Sequence, residues 1–337
     1  LTDDAGIIAK LSVNSIPASG STFPVGVTTV TSIATDASGN QSSCSFTVTV
    51  NDTQLPTITC PALVTVNADN GACAATGVIL GTPTTGDNCS VASVTNNAPA
   101  SFPIGTNSVT WTVTDASGNT ATCVQTVIVN DTQLPTITCP ALVTVNADNG
   151  SCAATGVTLG TPTTADNCSV ASVTNNAPAS FPIGTNYVTW TVKDNSGNLA
   201  TCVQTVIVRD TQLPTITCPA LVTVNADTGA CAATGVTLGT PTTADNCSVA
   251  SVTNNAPASF PIGTNYVTWT VKDNSGNSNT CLQTVIVKDV QLPTLSCPAL
   301  VTVNADNGSC AATGVILGTP TTADNCSVAS VTNNAPA

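Results

Sequence analysis

Apolar and polar residues alternate along most of this chain in short runs, the pattern of half-buried β-strands. From Asn107 to Thr114, Val109, Trp111 and Val113 alternate with polar residues, mostly threonines. No segment has the period of an amphipathic helix. The chain is therefore predicted to be all-β.

The segments around this strand predict a series of short strands joined by turns. The further predicted strands are Thr57 to Ala68, Ala74 to Leu80, Val91 to Thr95 and Cys123 to Val129, and Gly81 to Asn88 is predicted to be a loop. Asp69-Asn70-Gly71 is a hairpin-turn signal, because Asn and Gly accept positive φ. Asp115 to Asn119 is a turn in which Gly118 takes the left-handed conformation.

The whole pattern recurs every 79 residues, as the spacing of Asp52, Asp131, Asp210 and Asp289 shows. The predicted domains are a partial repeat at 1–51, complete repeats at 52–130, 131–209 and 210–288, and a partial repeat at 289–337. A unit of this size lies near the lower limit for a self-sufficient core. Many short strands in so small a unit predict tandem immunoglobulin-like antiparallel β-sandwiches.

The cysteine content and the net charge reduce the number of possible functions. The 16 cysteines recur at the same positions of each repeat, which indicates disulfides and an extracellular or cell-surface location. The net charge of −13 argues against nucleic acid and anionic membranes as partners. No apolar run is long enough to span a membrane. Because the chain has no His and no Glu, the usual catalytic triads and His-containing zinc sites cannot form, and no enzyme is predicted.

Four spaced motifs agree in order with one family. They lie in Asp52 to Pro61, Asp87-Asn88, Phe102 to Val109 and Asp115 to Cys123, and they recur in the other repeats. The sequence resembles the HYR (hyalin repeat) domain. This resemblance implies an immunoglobulin-like sandwich in an extracellular, often adhesive or matrix-forming, multi-repeat protein without catalytic residues. The chain departs from the family at Gln125, where the aligned Phe46 fits the usual aromatic residue better.

The sandwich topology predicts one set of disulfides. The first and last strands of an immunoglobulin-like unit run parallel, so their starts lie at the same end. Cysteines near those starts are predicted to pair as Cys60 with Cys123, Cys139 with Cys202 and Cys218 with Cys281. By elimination, the other pairs are Cys73 with Cys89, Cys152 with Cys168, Cys231 with Cys247 and Cys310 with Cys326. If the loop from Gly81 does not fold back, Cys73 bridges to a neighbouring repeat instead.

The two partial repeats leave two interpretations open, because Cys44 and Cys297 lack their partners. The chain is either a window of a longer repeat protein or a subunit whose front half-repeat is completed by the back half-repeat of the next, giving a filament. Against the second, a third-strand pattern occurs in both pieces, near Leu11 to Asn14 and Val328 to Thr332.

The aspartates are the candidate metal ligands, because hard oxygen donors at a repeat junction suit Ca²⁺. The candidate calcium ligands are Asp52, Asp87, Asp115, Asn119, Asp131, Asp166, Asp194, Asp210, Asp245 and Asp273. The alternative is that these are turn residues that bond to their own backbone. Asn51 and Asn130 are candidate glycosylation sites in linkers.

Together these observations predict a structural role as a stiff shaft in an extracellular fibre, for adhesion or matrix formation. Short linkers such as Asp131 to Pro135 leave little slack between repeats. The expected partners are further repeats or other copies of the same chain. The alternative function is an adhesive module whose loops recognise a carbohydrate or a protein.

Overall fold

The computed structural model describes residues 12–336 and divides the chain into two compact units. The units comprise residues 1–138, 162–174 and 190–202, and residues 139–161, 175–189 and 203–337. The repeat at 131–209 is therefore shared between them. The secondary structure of the described residues consists of strands. Within these residues, no helix has the length and apolar character needed to cross a membrane.

The first unit begins with an antiparallel three-stranded sheet in the order β1-β2-β3. Its strands are β1 (Ser12–Ile16), β2 (Gly26–Thr35) and β3 (Gln41–Val50). The predicted third-strand pattern near Leu11 to Asn14 is confirmed from Ser12 onward, and Leu11 lies outside the described residues.

The repeat at 52–130 is a sandwich of two layers. Its strands are β4 (Thr57–Thr59), β5 (Val64–Asn67), β6 (Ala74–Thr76), β7 (Thr84–Gly86), β8 (Val91–Asn96), β9 (Ser101–Pro103), β10 (Gly105–Asp115) and β11 (Thr120–Asn130). One layer is a four-stranded sheet in the order β5-β11-β10-β8, and the strand pairs β4–β7 and β6–β9 form the other. β11 runs antiparallel to β10 and parallel to β5. The all-β, immunoglobulin-like prediction is confirmed.

The core lies between these layers. Val109, Trp111 and Val113 are buried, as their alternation predicts. Trp111 and Val109 pack with Ala75 of β6 and Phe102 of β9. Both sheet layers therefore contribute to one small core.

Three predicted elements differ in extent. The segment Thr57 to Ala68 is two strands, β4 and β5, separated by residues 60–63. The predicted strand Ala74 to Leu80 ends at Thr76, because Gly77 turns the chain away with a φ of 62°. The predicted loop Gly81 to Asn88 contains β7, which pairs with β4.

Gln125 is a buried residue of the sandwich core. It is 1% exposed. Its Oε1 accepts a 2.9 Å hydrogen bond from Trp111 Nε1, and its Nε2 donates 2.8 Å bonds to the carbonyls of Ala62 and Leu80. The side chain thus joins both layers of the sandwich through polar contacts inside the core.

The same strand positions recur in the following repeats. In the shared repeat they are β12 (Thr136–Thr138), β13 (Val143–Asn146), β14 (Ala153–Thr155), β15 (Thr163–Ala165), β16 (Val170–Asn175), β17 (Ser180–Pro182), β18 (Gly184–Asp194) and β19 (Leu199–Arg209). In the second unit they are β20 (Thr215–Thr217), β21 (Val222–Asn225), β22 (Ala232–Thr234), β23 (Thr242–Ala244), β24 (Val249–Asn254), β25 (Ser259–Pro261), β26 (Gly263–Asp273) and β27 (Ser278–Lys288). The partial repeat after residue 288 has one strand pair, β28 (Thr294–Ser296) with β29 (Thr321–Ala323).

Candidate functional site: the junctions between repeats

Each of the three complete repeats has a tight turn at its exit end, close to the linker that leaves it. In the repeat at 52–130 this turn is Asp69-Asn70-Gly71, and Gly71 has the φ of 75° that the sequence signal requires. The Gly71 amide donates a 2.9 Å hydrogen bond to Gln133 Oε1 in the outgoing linker. The Ala68 amide donates a 2.8 Å bond to the carbonyl of Asn130. Cys73, two residues after this turn, therefore lies at the exit end of the repeat.

The loop that contains Asp87, Asn88 and Cys89 lies at the opposite, entrance end. Asn88 Nδ2 donates a 3.4 Å bond to Asp52 Oδ1 of the incoming linker. Asn119 Nδ2 donates a 3.2 Å bond to the carbonyl of Asp52. The entrance loop therefore faces whatever precedes the repeat, while Cys73 faces the repeat that follows.

This placement makes the predicted pairing of Cys73 with Cys89 wrong, because the two lie at opposite ends of one sandwich. Cys73 is bonded to Cys168 in the entrance loop of the next repeat, with a Cα–Cα distance of 4.9 Å. Likewise, Cys152 is bonded to Cys247 and Cys231 to Cys326, so the predicted pairs of Cys152 with Cys168, Cys231 with Cys247 and Cys310 with Cys326 are also wrong. The alternative prediction, that Cys73 bridges to a neighbouring repeat, is confirmed.

The other disulfides follow the sandwich topology. Cys60 with Cys123 and Cys218 with Cys281 are confirmed, each with a Cα–Cα distance of 5.7 Å. Cys139 and Cys202 are both disulfide-bonded. Within residues 12–336, the free cysteines are the exposed Cys44, Cys89, Cys297 and Cys310.

The linker Asp131 to Pro135 is held by side chains of its own repeat and by the Gly71 amide of the preceding repeat. Asp131 is 8% exposed, and its Oδ2 accepts a 3.2 Å bond from Ser196 Oγ. Asn198 Nδ2 donates to the Asp131 carbonyl at 3.2 Å. Asn167 Nδ2 donates to the carbonyl of Ala72, across the junction, at 2.9 Å. The linker is thus a bonded part of the junction rather than a free hinge.

The second unit repeats this arrangement at its own junctions. Asn246 Nδ2 donates to the Ser151 carbonyl at 2.9 Å, and the Gly150 amide donates to Gln212 Oε1 at 2.8 Å. Asn325 Nδ2 donates to the carbonyl of Ala230 at 2.9 Å. The role of the linker glutamines at the junctions was not predicted from the sequence. Their recurrence at one position of every repeat was the available signal.

The aspartates chosen from the sequence separate into two groups. Asp115 Oδ1 accepts from the Ser117 and Asn119 amides at 2.9 and 2.8 Å, and its Oδ2 accepts from Asn119 Nδ2 at 2.8 Å. Asp194 and Asp273 bond in the same way to Asn198 and Asn277. These residues therefore serve the turn, as the alternative interpretation holds.

The lowered pKa values of the turn carboxylates agree with this role. Burial raises the pKa of Asp115, but hydrogen bonds from the Asn119 side chain, the Asn119 amide and the Ser117 amide outweigh burial and hold the pKa below its ordinary value. The pKa of Asp194 is lowered by the same balance. Because the folded pKa is lowered, the turn gains stability from ionisation at neutral pH and loses it in acid, as the pH falls through the folded pKa.

The second group of aspartates meets at the entrance of each repeat. The pairs are Asp52 with Asp87, Asp131 with Asp166, Asp210 with Asp245 and Asp289 with Asp324, and in each group the carboxylate oxygens lie within 4.8 Å of one another and of a cysteine sulfur. Several oxygens here are buried without a hydrogen-bond partner: Asp52 Oδ2, Asp87 Oδ1, Asp166 Oδ1, Asn167 Oδ1, Asp245 Oδ1, Asp324 Oδ1 and Asn325 Oδ1. Buried oxygens are normally satisfied, so these sites are where a cation would fit best.

The negative charge at the first entrance affects a free thiol. The neighbouring Asp52 carboxylate contributes most to a raised pKa of Cys89, and partial desolvation and the charges of Asp87 and Asp115 raise this pKa further. Cys89 therefore stays protonated over a wider range of pH than an ordinary thiol. The candidate glycosylation sites Asn51 and Asn130 are both exposed, and their modification stays a prediction.

Comparison with known proteins agrees with the sequence motifs. The HYR domain model matches residues 1–50, 51–129, 130–208 and 209–287. Hyalin of Strongylocentrotus purpuratus is 34% identical over 99% of this chain and 29% of its own length, and hyalin of Lytechinus variegatus is 34% identical over 88% of this chain and 59% of its own length. This chain thus spans less than two thirds of either relative. A solved protocadherin gamma B4 extracellular domain is 14% identical, with a TM-score of 0.30, over 79% of this chain and 56% of that one. The chain belongs to the HYR domain family.

Proposed function

We propose that this chain is a non-enzymatic structural segment of an extracellular or cell-surface fibre, a stiff shaft for adhesion or matrix formation. The observation that supports the proposal is the staggered disulfide that joins each exit turn to the next entrance loop. Its partners are further repeats and other copies of the chain. Disulfides of this density belong to an oxidising compartment.

The staggered disulfides give the chain a short covalent path. Cys73 and Cys326 are 253 residues apart (326 − 73). Through Cys73–Cys168, Cys152–Cys247 and Cys231–Cys326, the path between them uses only two segments of 16 residues (168 − 152 and 247 − 231). At about 3.5 Å per residue, this path reaches roughly 110 Å, against about 890 Å for the reduced chain. Covalent bonds therefore limit how far the chain can be stretched, even if the sandwiches unfold. This property suits a load-bearing shaft.

Single-molecule force extension of the oxidised 337-residue chain tests this load path. We expect the fully stretched oxidised chain to be about 770 Å shorter than the reduced chain. Cys89→Ser, which removes a free thiol, is the matched control and leaves the difference unchanged. Equal extension of the oxidised and reduced chains would remove the support for a shaft.

Immunogold microscopy of the native material tests the location of the repeats. Antibodies against residues 52–288 are expected to mark fibres at intervals along their length. Labelling confined to fibre tips would favour the adhesive module over the shaft.

We also propose that the entrance carboxylates bind Ca²⁺. Asp131, Asp166 and Asn167 offer carboxylate and amide oxygens, and the unpartnered buried oxygens support the proposal. Ca²⁺ takes six to eight oxygen ligands, so water would complete the shell. The ion would neutralise two neighbouring carboxylates and fasten the linker to the entrance loop. Asp115, Asp194, Asp273 and Asn119 are left out of this set because they are bonded within their turns.

Thermal unfolding with and without a chelator tests the Ca²⁺ proposal. For a dissociation constant near 10⁻⁴ M, 10 mM Ca²⁺ is expected to stabilise a junction by about 2.7 kcal/mol, which corresponds to a rise in Tm on the order of 10 °C. Asp166→Asn is expected to reduce the rise. Asp148→Asn, which changes a carboxylate that bonds to Thr155, is the control. An unchanged Tm in the unsubstituted protein would exclude the proposal.

A further inference from the structure

We propose that one sheet face of the repeat at 210–288 binds a sparsely charged acidic polysaccharide. This basic face is the side of β26 and β27 that points away from the sandwich core, and it carries Tyr266, Lys272, Leu282, Ile286 and Lys288. The inference goes beyond the proposed shaft, because it adds a ligand-binding surface to one of its repeats.

The differences between complete repeats are concentrated on this face. The repeats at 52–130 and 210–288 differ at ten of their 79 positions. Five of the ten lie on the outward side of the two long strands, where Ser108, Thr114, Thr120, Val124 and Asn130 correspond to Tyr266, Lys272, Ser278, Leu282 and Lys288. The other five are at Asn70, Ile79, Gly86, Ala116 and Ala121. A spacer gains nothing from changes on one face, whereas a binding surface depends on them.

The cations of this repeat lie on the basic face, and its aspartates do not. Lys272 and Lys288 are exposed, and they are the only lysine or arginine residues in 210–288. Asp273 faces the core and is 2% exposed. The other aspartates of the repeat lie outside the four-stranded sheet: Asp210, Asp227 and Asp245. The face is therefore locally positive on a chain whose net charge is negative.

The two lysines lie near opposite ends of the face. Lys272 pairs with Ser278, and Lys288 lies ten residues further along β27 (288 − 278). At about 3.4 Å per residue, this separation is roughly 34 Å. Asp289, the residue after Lys288, accepts hydrogen bonds from its own linker and from the following entrance loop. The arrangement suits an extended ligand whose anionic groups are far apart.

An aromatic and apolar centre lies between the lysines. Tyr266 pairs with Thr284, so Leu282 and Ile286 are its diagonal neighbours on the same side of the sheet. Tyr266 is 60% exposed and Leu282 is 58% exposed. The equivalent of Tyr266 in the repeat at 52–130 is Ser108. The repeat that has the lysines therefore also has an exposed aromatic ring.

These groups match the chemistry of an acidic polysaccharide. The tyrosine ring offers a flat apolar surface with a polar tip, which suits the apolar face of a sugar ring. The ammonium groups can form charge-assisted hydrogen bonds with carboxylates. The hydroxyls of Thr268, Thr270 and Thr284, on the same side of the sheet, can donate to and accept from sugar hydroxyls. A polymer with one carboxylate in each disaccharide supplies all three kinds of partner.

Nucleic acid and a second copy of this chain suit the face less well. Duplex DNA carries one charge per about 1.7 Å, which is far denser than two lysines can match. A second copy would have to offer free carboxylates. In this repeat, however, Asp227 Oδ2 accepts from the Thr234 amide and hydroxyl, and Asp245 Oδ2 accepts from the amides of Cys247 and Ser248.

Isothermal titration of the 337-residue protein with hyaluronan oligosaccharides, which have one carboxylate in each disaccharide, tests the proposal. At about 0.15 M salt the Debye length is roughly 8 Å, so the distant aspartates are screened from the face. A chelator in the buffer removes divalent ions that could bridge two carboxylates. We expect saturable binding of hyaluronan and no binding of neutral dextran. Absence of hyaluronan binding, or equal binding of dextran, would overturn the proposal.

The test variant removes the cations from both repeats that have them, because Lys193 and Arg209 occupy the same positions in the repeat at 131–209. Each cation is replaced by the residue that the repeat at 52–130 has at that position: Lys193→Thr, Arg209→Asn, Lys272→Thr and Lys288→Asn. The variant is expected to weaken hyaluronan binding on the order of 10-fold. Unchanged binding would show that the lysines do not contact the ligand.

The matched control makes the same kind of exchange away from the face. Thr158→Ile with Thr237→Ile introduces the residue found at Ile79, an 86% exposed position outside the strands, and should leave binding unchanged. Mapping of Cys60–Cys123 and Cys218–Cys281 shows whether the repeats have folded in each variant. If the control weakens binding as much as the cation variant does, the basic face is not the site.

The reverse exchange tests whether the face is sufficient. Ser108→Tyr, Thr114→Lys and Asn130→Lys give the repeat at 52–130 the residues of the basic face and are expected to add one binding site. An unchanged stoichiometry would count against the proposal. Self-association in light scattering that the cation variant abolishes would instead assign the face to a second copy. Force extension of single chains does not depend on these residues, so the shaft proposal and this inference can fail separately.

Discussion

Replacing Gln125 with leucine is expected to destabilise the repeat at 52–130 by about 2–4 kcal/mol, although leucine has a similar volume and is apolar. The substitution leaves Trp111 Nε1 and the carbonyls of Ala62 and Leu80 without their partner. Each unsatisfied buried group costs about 1–3 kcal/mol. Burial of the leucine side chain offsets roughly 2 kcal/mol of that total.

Hydrogen exchange of the intact chain can localise this effect. The β10 segment has Ser108 and Thr114 where the later repeats have Tyr and Lys, so its peptides can be distinguished by mass. A loss of 3 kcal/mol should speed exchange of its protected amides on the order of 100-fold. Val124→Leu is the matched control, because Val124 is 62% exposed on the same strand and the equivalent residue is Leu282. Exchange in the Gln125 variant equal to that of the control would show that the buried hydrogen bonds contribute nothing net.

Gln125 also shows how far the sequence could predict the packing. The alternation of Val109, Trp111 and Val113 is enough to predict that these side chains face the core, because successive side chains of a strand point to opposite faces of the sheet. This prediction needs no knowledge of the neighbouring strands. The role of Gln125 depends on its bond to the Trp111 indole and on carbonyls 45 and 63 residues away. In the partial repeat, Ser32 and Phe46 stand at the positions of Trp111 and Gln125. The aromatic residue is therefore Trp111 on β10 in the complete repeat but Phe46 on β3, the equivalent of β11, in the partial repeat. A comparison of single positions does not reveal that the aromatic residue has moved to the neighbouring strand.

The cysteines show the same limit at the level of the whole repeat. The pair Cys60 and Cys123 follows from the parallel arrangement of β5 and β11, which the sandwich topology supplies. Cys73 requires knowledge of which end of the sandwich faces which neighbour. That information lies in the turn Asp69-Asn70-Gly71 and in the hydrogen bond that the Gly71 amide donates to Gln133 of the outgoing linker. Pairing every cysteine within its own repeat gives wrong partners, because some of the disulfides join one repeat to the next.

The predicted calcium ligands do not lie in one site. Asp52 and Asp131 lie close to the carboxylates of the entrance loops, whereas Asp115 accepts hydrogen bonds within its own turn. Aspartate suits both roles, because its short carboxylate can accept hydrogen bonds from backbone amides or bind a cation. Only the positions of the neighbouring hydrogen-bond donors show which role a given aspartate has. The turn that contains Asp115 therefore orients the linker through Asn119, while the entrance loop and Asp52 hold the unpartnered oxygens.

Loss of the disulfide within a sandwich is expected to have the largest effect on any single repeat. The double variant Cys60→Ala, Cys123→Ala frees a loop with a sequence separation of 63 residues. The chain-entropy model assigns such a loop about 4 kcal/mol. A repeat of this size has roughly 4–12 kcal/mol of stability in total. The variant should therefore leave the repeat at 52–130 with roughly 0–8 kcal/mol of stability.

The same β10 peptides measure this prediction, and their exchange should quicken on the order of 1,000-fold. Cys89→Ala is the matched control, because it makes the same chemical change at an exposed free thiol of the same repeat. The β26 segment of the second unit, Gly263–Asp273, should keep its protection, because its own repeat retains Cys218–Cys281. If the β10 peptides keep their protection in the double variant, the small core formed around Trp111 and Phe102 suffices alone. Disulfides would then act in this chain only to carry load between repeats.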